Sequence, residues 1–289
     1  MYNSELFDNV FFFKFLTTLS TRFGLLYTNN TIGAIFILFK SNYLNIIKVI
    51  VYNYFNLRIM RILFLGNSDI LNRKILPSLH KSKNFKCELA SRKKIKNNFF
   101  VKSYKNYDYA IKKTKSKLVY ISLINSLHFK YCRKALNSNK HVIVDKPLSL
   151  NYKKNNELLN LAKKKRLLLA EAIVFTFNKR FKEFYSSINF KKKLNIEIFF
   201  SIPSLNKDNF RNYKSQGGGC YNDMSSYAFK CLDLFYKDNL NKFSFTKKLK
   251  NKIINSFEVK IFEKNFNFKS SFEFNSNYKN FIKVKNDKK

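Results

Sequence analysis

Three segments of the sequence carry residues whose types and spacing could do chemistry, and the first contains a lysine. Val142-Ile-Val-Asp-Lys-Pro147 places Lys146 directly after a short apolar run. If that run is a parallel strand, Lys146 lies at its carboxyl end, where open α/β sheets bind their ligands. An ammonium group there can stabilise a developing alkoxide and pass on a proton. Taken alone, Lys146 is equally consistent with a surface position in a lysine-rich chain.

The second segment pairs an acid with a phenol. In Gly217-Gly-Gly-Cys-Tyr-Asn-Asp-Met-Ser-Ser-Tyr227, a helix that begins after the glycines places Asp223 and Tyr227 on one face, because they are four residues apart. A nearby ammonium group can lower the pKa of a phenol toward the range that is useful for acid–base catalysis. A buried tyrosine that only hydrogen-bonds to Asp223 would show the same spacing.

The third segment, Gly66-Asn-Ser-Asp-Ile-Leu71, is a glycine turn that could bind phosphate. Dinucleotide-binding folds have G-x-G-x-x-G/A between a strand and a helix, where small residues let the backbone approach the pyrophosphate. Here Ser68 and Leu71 take the second and third places, although the helix start would still favour an anion. An ordinary strand-to-helix turn is the simpler interpretation of this segment alone.

The end of the next predicted strand bears on the choice of nucleotide. Sites that prefer NAD place an acid there to bind the ribose hydroxyls, whereas this chain has Ser91-Arg92. Arginine offers charge-assisted hydrogen bonds to a 2′-phosphate. The sequence therefore favours NADP over NAD, unless Arg92 is simply one more surface cation among 56 Lys and Arg.

Alternating strands and helices must position these segments. The predicted strands are Ile62–Leu65, Cys87–Ala90, Leu118–Leu123, Val142–Val144 and Leu167–Ala170, and the predicted helices follow Ser68, start near Ser126 and span Leu150–Lys165. This alternation indicates an α/β fold with a parallel sheet and helices on both faces. Pro77 should bend or end the first helix, and Asn139 suits a left-handed helix cap. Later stretches such as Ile196–Ile202 and Phe257–Phe262 predict a second, partly antiparallel sheet.

Composition restricts the class of protein. The 289 residues are 45% hydrophobic and 17% aromatic, which excludes wholesale disorder. The net charge of +38 could indicate binding to nucleic acid or to an anionic membrane surface. The lysines are scattered along the whole chain, however, and no nucleic-acid-binding motif is present. Biased composition of the surface explains the charge better, so no specific nucleic-acid partner is predicted.

The cysteines and the N-terminal segment give expectations about location. Cys87, Cys132, Cys220 and Cys231 lack CxxC or zinc spacing, which favours buried free thiols in a reducing cytosol and no metal site. No secretory signal or membrane-spanning run is visible, so a cytoplasmic protein is expected. Residues 1–59 lack turn signals, and Met60 precedes a strand. Our hypothesis is that 1–59 is an extension upstream of a natural start at Met60.

Together these segments resemble the Gfo/Idh/MocA oxidoreductase family. The resemblance runs from about Met60 to the C-terminus. It is strongest in Val119-Tyr-Ile-Ser-Leu-Ile-Asn-Ser-Leu-His128 and in Lys140-His-Val-Ile-Val-Asp-Lys-Pro-Leu148, which look like the family's strand, Asn–His turn, helix and E-K-P signature with Asp replacing Glu. Leu168-Leu-Ala-Glu-Ala172 resembles the next strand. Asn209-Phe-Arg211 and the glycine segment resemble the second-domain signature.

The resemblance implies a fold and an activity. Residues 60–172 would form a Rossmann-type, doubly wound dinucleotide-binding domain. Residues 173–289 would form an α+β domain with an open, mostly antiparallel sheet for substrate binding, and for homo-oligomers. The implied reaction is hydride transfer between NADP or NAD and an alcohol or carbonyl carbon of a sugar, polyol or nucleotide-sugar-like substrate.

The resemblance also implies roles for individual residues. Lys146 would support catalysis electrostatically, Tyr227 would donate or accept the proton of the substrate oxygen, and Asp223 would orient the pair or bind a substrate hydroxyl. The cofactor-binding candidates are Gly66, Asn67, Ser68, Asp69, Ile70, Ser91, Arg92, Leu123, Asn125, His128, Asp145, Lys146 and Arg211.

Departures from the family keep other functions open. Two of the three fingerprint glycines are absent, Arg166 stands where family members commonly have glycine, and the chain after Tyr227 is short. A family member that keeps the fold, with cofactor binding but without turnover, is therefore one alternative. A basic protein that binds polyanions is another.

Overall fold

The structure is a computed structural model, and it describes residues 59–80, 84–93, 98–236 and 243–286 of the chain. Apart from Ile59, the predicted N-terminal extension lies outside the described residues. By their contacts the described residues divide into two units. The first runs to Lys179 without Ile124–Ser126, and the second contains those three residues and the chain from Arg180. The domain boundary predicted between residues 172 and 173 stays a prediction.

The first unit is built on a parallel sheet. Its six strands are β1 (Met60–Leu65), β2 (Phe85–Ala90), β3 (Phe100–Tyr104), β4 (Leu118–Ile121), β5 (His141–Asp145) and β6 (Leu169–Ala172), in the order β3-β2-β1-β4-β5-β6. All five strand pairings are parallel. The predicted strands are confirmed within a few residues, and the order is that of dinucleotide-binding folds.

Helices cover both faces of this sheet, as predicted. They are a π-helical turn (Leu71–Ile75) continued by α1 (Leu76–His80), α2 (Tyr107–Lys113), α3 (Asn125–Asn137) and α4 (Tyr152–Lys165), with a 3₁₀ turn at Val174–Phe177. On one face Leu71 and Leu79 pack with Phe64 and Leu89. On the other, side chains of α2, α3 and α4 pack with alternate residues of the same strands, because successive strand residues point to opposite faces.

The first helix continues through Pro77, and one strand and one helix near the sheet edge were not predicted. The helix does not end at Pro77, because a wide π turn directly precedes it, where a proline ring would otherwise press on the preceding carbonyl groups. Strand β3 and helix α2 were not predicted. In β3 only Phe100 and Tyr104 are buried, so this edge strand has no continuous apolar run.

Two helix ends of the first unit adopt the left-handed conformation. Asn139 has φ 55°, which confirms the predicted cap after α3. Arg166 also has φ 55° and closes α4, with its N–H donating to the Lys163 carbonyl and that of Leu167 to Ala162. This conformation explains why glycine suits the position of Arg166.

The second unit contains a mixed sheet and one long helix. Its elements are α5 (Lys179–Ser186), β7 (Leu194–Ile202), α6 (Cys220–Phe235), β8 (Ser244–Lys250), β9 (Ile253–Glu263), β10 (Phe266–Phe274) and β11 (Lys279–Asn286). The strand order is β11-β7-β10-β9-β8. Only β7 and β10 pair in parallel, so the prediction of a mostly antiparallel sheet is confirmed. Helix α6 contacts β9 and β10. Within the described part of the chain, no helix combines the length and apolar character needed to cross a membrane.

Candidate functional site

The turn after β1 requires a glycine. Gly66 has φ +96°, and a Cβ atom on it would lie 2.2 Å from the carbonyl oxygen of Ser122. Backbone hydrogen bonds hold this turn to the neighbouring strands. The Gly66 N–H donates to the Ala90 carbonyl (2.9 Å), and the Ser122 N–H donates to the Leu65 carbonyl (2.8 Å). The ends of β1 and β4 therefore meet closely at Gly66, at the point where the strand order of the sheet reverses.

Ser68 and Leu71 replace the two other small residues of a phosphate-binding turn in different ways. The Ser68 hydroxyl accepts a hydrogen bond from the Leu71 N–H (3.1 Å), so its side chain caps the start of the helix that was predicted to follow it. Leu71 is fully buried among the side chains under the helix, and the π turn begins at this residue. The larger side chain is therefore part of the core.

The three remaining candidates in this turn have exposed side chains. Asn67 accepts a hydrogen bond from Asn72 (2.9 Å). Asp69 forms an ion pair with Arg73 one turn further along the helix, and Ile70 is 43% exposed. What they offer a ligand is therefore mainly their backbone at the start of the helix.

Beyond β2, the chain presents a cation and no acid. Ser91 is buried, with its N–H donating to Tyr104 (2.9 Å) and its hydroxyl accepting from the Lys93 N–H (3.2 Å). Arg92 is exposed beside it. This arrangement leaves the guanidinium group accessible at the carboxyl end of β2.

The segment around Lys146 is held by a buried histidine. Lys146 follows β5 directly, and its peptide bond to Pro147 is cis. The ring nitrogens of His128 lie 2.7 Å from the Pro147 carbonyl oxygen and 2.9 Å from that of Leu123. Burial lowers the pKa of His128, while the two carbonyl groups and Asp145 act in the opposite direction. His128 thus connects the ends of β4 and β5.

A chain of side-chain hydrogen bonds runs from the glycine turn to Asp145. The hydroxyl oxygens of Ser68 and Ser122 lie 2.5 Å apart. The Ser122 hydroxyl donates to one carboxylate oxygen of Asp145 (2.5 Å), and the Tyr120 hydroxyl donates to the other (2.6 Å). Sequence reasoning missed Ser122 and Tyr120, although both lie in a motif it singled out, because nothing marks a serine or tyrosine there as a partner of Asp145.

In the second unit, Arg211 is paired with Asp223. The Arg211 Nε lies 3.0 Å from a carboxylate oxygen of Asp223, whose side chain is 5% exposed. The Arg211 carbonyl accepts from the Gly219 N–H (2.8 Å), and its guanidinium lies 4.5 Å from the ring centroid of Phe210. The segment before α6 and the first turn of α6 are therefore joined by both backbone and side chain.

Tyr227 and Asn125 are the remaining predicted site residues of the second unit. The Tyr227 ring lies one helical turn after Asp223, with its centroid 5.9 Å from that of Phe200. Asn125 is buried and donates a hydrogen bond to the Gly217 carbonyl (3.1 Å). Lys146 belongs to the first unit, so its joint action with Asp223 and Tyr227 stays a prediction.

Neither disulfides nor a metal cluster occur among the described residues. Four cysteines, Cys87, Cys132, Cys220 and Cys231, are buried and form no disulfide. In the described ranges, no group of three or more His, Cys, Asp and Glu side chains could hold a metal ion.

Comparison with known proteins identifies similar sequences. Residues 64–172 match the model of a family described as an oxidoreductase family with an NAD-binding Rossmann fold. The dTDP-3,4-didehydro-2,6-dideoxy-α-D-glucose 3-reductase of Streptomyces violaceoruber is 27% identical over 192 residues, which cover 63% of this chain and 56% of that protein. The scyllo-inositol 2-dehydrogenase (NADP(+)) IolU of Bacillus subtilis is 38% identical over 65 residues, or 22% of this chain and 20% of that protein.

Solved structures share the fold. The 3-ketoreductase KijD10 from Actinomadura kijaniata, in complex with NADP and TDP-benzene, gives a TM-score of 0.70 at 20% identity, over 77% of this chain and 72% of that chain. Biliverdin reductase from Synechocystis, in complex with biliverdin and NADP+, gives a TM-score of 0.64 at 15% identity, over 78% of this chain and 77% of that chain. At such identities the likeness concerns the fold alone. The chain spans about half the length of the first curated relative, 56%.

Proposed function

Residues 64–172 belong to the Gfo/Idh/MocA family of oxidoreductases, as its NAD-binding Rossmann-fold domain, and from this premise we propose that the protein is an NAD(P)-dependent dehydrogenase or reductase. The proposed reaction is hydride transfer between the nicotinamide and a CH–OH or carbonyl carbon of a sugar-like substrate. Names of similar proteins support this class, since they include a dTDP-sugar 3-reductase and an inositol dehydrogenase.

One arrangement carries the proposal: a row of residues along the carboxyl edge of the first sheet. Gly66, Arg92 and Lys146 follow β1, β2 and β5, and these strands are parallel, so their carboxyl ends share that edge. Strand order reverses between β1 and β4, which is where folds of this order bind dinucleotides. The Gly66 turn and the helix start after Ser68 fit a pyrophosphate.

NADP is the proposed cofactor in preference to NAD. The chain places Arg92 after β2, and the neighbouring residues Ser91 and Lys93 supply no carboxylate for the ribose hydroxyls. A guanidinium group can form charge-assisted hydrogen bonds with a 2′-phosphate. The KijD10 structure was solved with NADP, which supports the same choice.

The chemistry of the step needs a proton as well as a hydride. A nicotinamide held at this site would supply the hydride for the carbonyl carbon, or would accept it in the reverse direction. In the proposed mechanism the Tyr227 phenol donates its proton to the carbonyl oxygen, and takes it back when an alcohol is oxidised. Lys146 stabilises the developing alkoxide with its positive charge. Asp223, oriented by Arg211, binds a hydroxyl group of the substrate.

Cofactor binding is the first test. Titration of the full chain with NADPH and NADH, followed by nicotinamide fluorescence, should show tighter binding of NADPH. Arg92→Ala should weaken NADPH binding about tenfold, which corresponds to about 1.4 kcal/mol, and should change NADH binding little. Lys93→Ala, which removes a neighbouring exposed cation, is the matched control. Failure of both nucleotides to bind would refute the proposal.

Turnover is the second test. A set of sugars, polyols and nucleotide sugars is assayed with the preferred nucleotide. Lys146→Ala and Tyr227→Phe should each lower kcat by about 100-fold, the lower end of what electrostatic stabilisation and acid–base catalysis contribute. Tyr221→Phe is the control from the same helix, since the Tyr221 ring packs edge-on against Phe245 and Phe257. Cofactor binding with no turnover would favour a family member that has lost its activity.

We also propose that the protein forms homo-oligomers through the second sheet. Phe199 and Phe281 stack with centroids 6.0 Å apart on the face opposite the buried residues Ile196 and Ile198. Phe262 is 68% exposed. Phe199 and Phe281 are half-buried, and apolar rings that stay partly open to solvent on one face favour association. Sedimentation velocity should show a dimer or larger species that Phe262→Lys weakens, and a monomer at all concentrations would contradict it.

A further inference from the structure

We propose that Ser122 is a positioning residue that joins the turn at Ser68 to Asp145, the residue before Lys146. The inference rests on the proposed function, because it assigns what Ser122 does for the cofactor turn and for Lys146. Its basis is the hydrogen-bond chain formed by Ser68, Ser122, Asp145 and Tyr120.

The direction of every hydrogen bond in this chain follows from counting protons. A carboxylate can only accept, and each hydroxyl group has one proton to donate. The protons of Ser122 and Tyr120 both go to Asp145. The Ser122 oxygen must therefore accept from Ser68, whose own oxygen accepts from the Leu71 N–H. The chain thus runs in one direction, from the helix start to Asp145.

This direction determines what Ser68 can offer a phosphate group. Its single proton is directed to Ser122, so the hydroxyl has no donor left for an anion. A phosphate at this turn would instead meet backbone N–H groups at the helix start. With Ser68, the turn therefore still offers an anion backbone N–H groups, as a glycine-rich turn does, because the serine side chain is engaged with Ser122.

At its other end the hydrogen-bond chain holds Asp145, the residue before Lys146. Asp145 receives donors at both carboxylate oxygens, and the hydroxyl groups come from Tyr120 and Ser122, whose side chains are buried. Removing the Ser122 hydroxyl would leave one Asp145 oxygen without its donor and Ser68 without its acceptor. Ser68 and Asp145 are half-buried, and a polar group that loses its hydrogen-bond partner there is destabilising, so both ends should loosen together.

Hydrogen exchange measured by mass spectrometry on the full chain tests this coupling. Ser122→Ala should raise amide exchange about tenfold in residues 66–72 and also in residues 141–148, because one lost hydrogen bond of about 1.4 kcal/mol corresponds to that factor. Ser68→Ala should affect only the first segment and Tyr120→Phe only the second. Ser149→Ala removes a hydroxyl that bonds to Asn151 and Asn155, and this control should leave both segments unchanged.

Steady-state kinetics give a second test, because a purely structural role would not separate the effects on KM from those on kcat. Ser68→Ala should raise the KM for NADPH about threefold with kcat unchanged, and Tyr120→Phe should lower kcat with that KM unchanged. Ser122→Ala should do both. If Ser122→Ala does not fold, the separate effects of Ser68→Ala on KM and of Tyr120→Phe on kcat still test the proposal.

Unchanged exchange in Ser122→Ala, or a change confined to one segment, would overturn the inference. Loosening of both segments would support it even in a protein that binds no nucleotide. In that case the proposed function fails while the positioning by Ser122 stands.

Discussion

Replacing Gly66 by alanine separates backbone strain from steric overlap, because the second unit offers a matched control. Gly66 and Gly219 have almost the same φ, +96° and +101°. A Cβ atom on Gly66 would lie 2.2 Å from the Ser122 carbonyl oxygen, whereas on Gly219 the nearest atom would be 3.3 Å away, at Ile254. The two alanine variants therefore share a positive φ and differ in the overlap.

The magnitudes follow from these distances. A side chain at such a positive φ costs on the order of 1–3 kcal/mol, and both variants carry a cost of this kind. In Gly66→Ala the Ser122 carbonyl must also move by about 1 Å to reach an ordinary contact distance. That movement weakens the two hydrogen bonds that join Gly66 to Ala90 and Ser122 to Leu65, at about 1 kcal/mol each. Gly66→Ala should therefore lose about 2 kcal/mol more stability than Gly219→Ala.

Amide exchange of buried strands measures the loss in each unit separately, with β1 (Met60–Leu65) reporting on the first and β10 (Phe266–Phe274) on the second. Nicotinamide fluorescence measures the consequence for NADPH, whose affinity should fall in Gly66→Ala by more than tenfold, or about 1.4 kcal/mol. Losses of stability within about 0.5 kcal/mol of each other, a difference typical of unrelated surface changes, would refute the role given to the Ser122 carbonyl.

Three further predictions concern stability and reactivity. Arg166→Gly should raise the melting temperature by about 1–4 °C, since glycine relieves about 1 kcal/mol of left-handed strain, and an unchanged or lower value would contradict it. Burial, with the Lys117 charge, lowers the pKa of His141 below its usual 6.5, so the folded protein should lose stability as pH falls below about 6.5; the slope of unfolding free energy against pH should flatten in His141→Gln. Burial raises the pKa of Cys87 and Cys231 to about 12, so iodoacetamide at pH 8 should label them only after unfolding, and rapid labelling of the native protein would count against this.

The sequence predicted those parts of the fold that apolar runs and turns determine. The predicted strands Ile62–Leu65, Cys87–Ala90 and Val142–Val144 are buried throughout, which a parallel sheet covered by helices requires. The edge strand β3 was missed for the same physical reason. Its residues Val101 and Lys102 are exposed, so its position depends on backbone pairing with β2 rather than on an apolar pattern.

Within the candidate site, the sequence identified residues whose type is dictated by the backbone. Gly66 is recognisable because only glycine fits both its φ and its contact with Ser122. Hydrogen-bond partners that only the folded geometry brings together cannot be recognised in the sequence in this way. The pairing of Asp145 with Ser122 and Tyr120 brings together residues 23 and 25 positions apart, and the sequence contains many other serines and tyrosines.

The replacement of two fingerprint glycines shows how a phosphate-binding turn can keep its shape with larger residues. The second position needs a side chain that stays out of the backbone's way, and Ser68 meets this because Leu71 and Ser122 hold its hydroxyl. The third position normally lets the helix approach the strand closely. Leu71 instead enters the core where the helix widens into a π turn. The departures from the glycine pattern are therefore each matched by a local structural change, and the turn remains suited to an anion as long as Gly66 is kept.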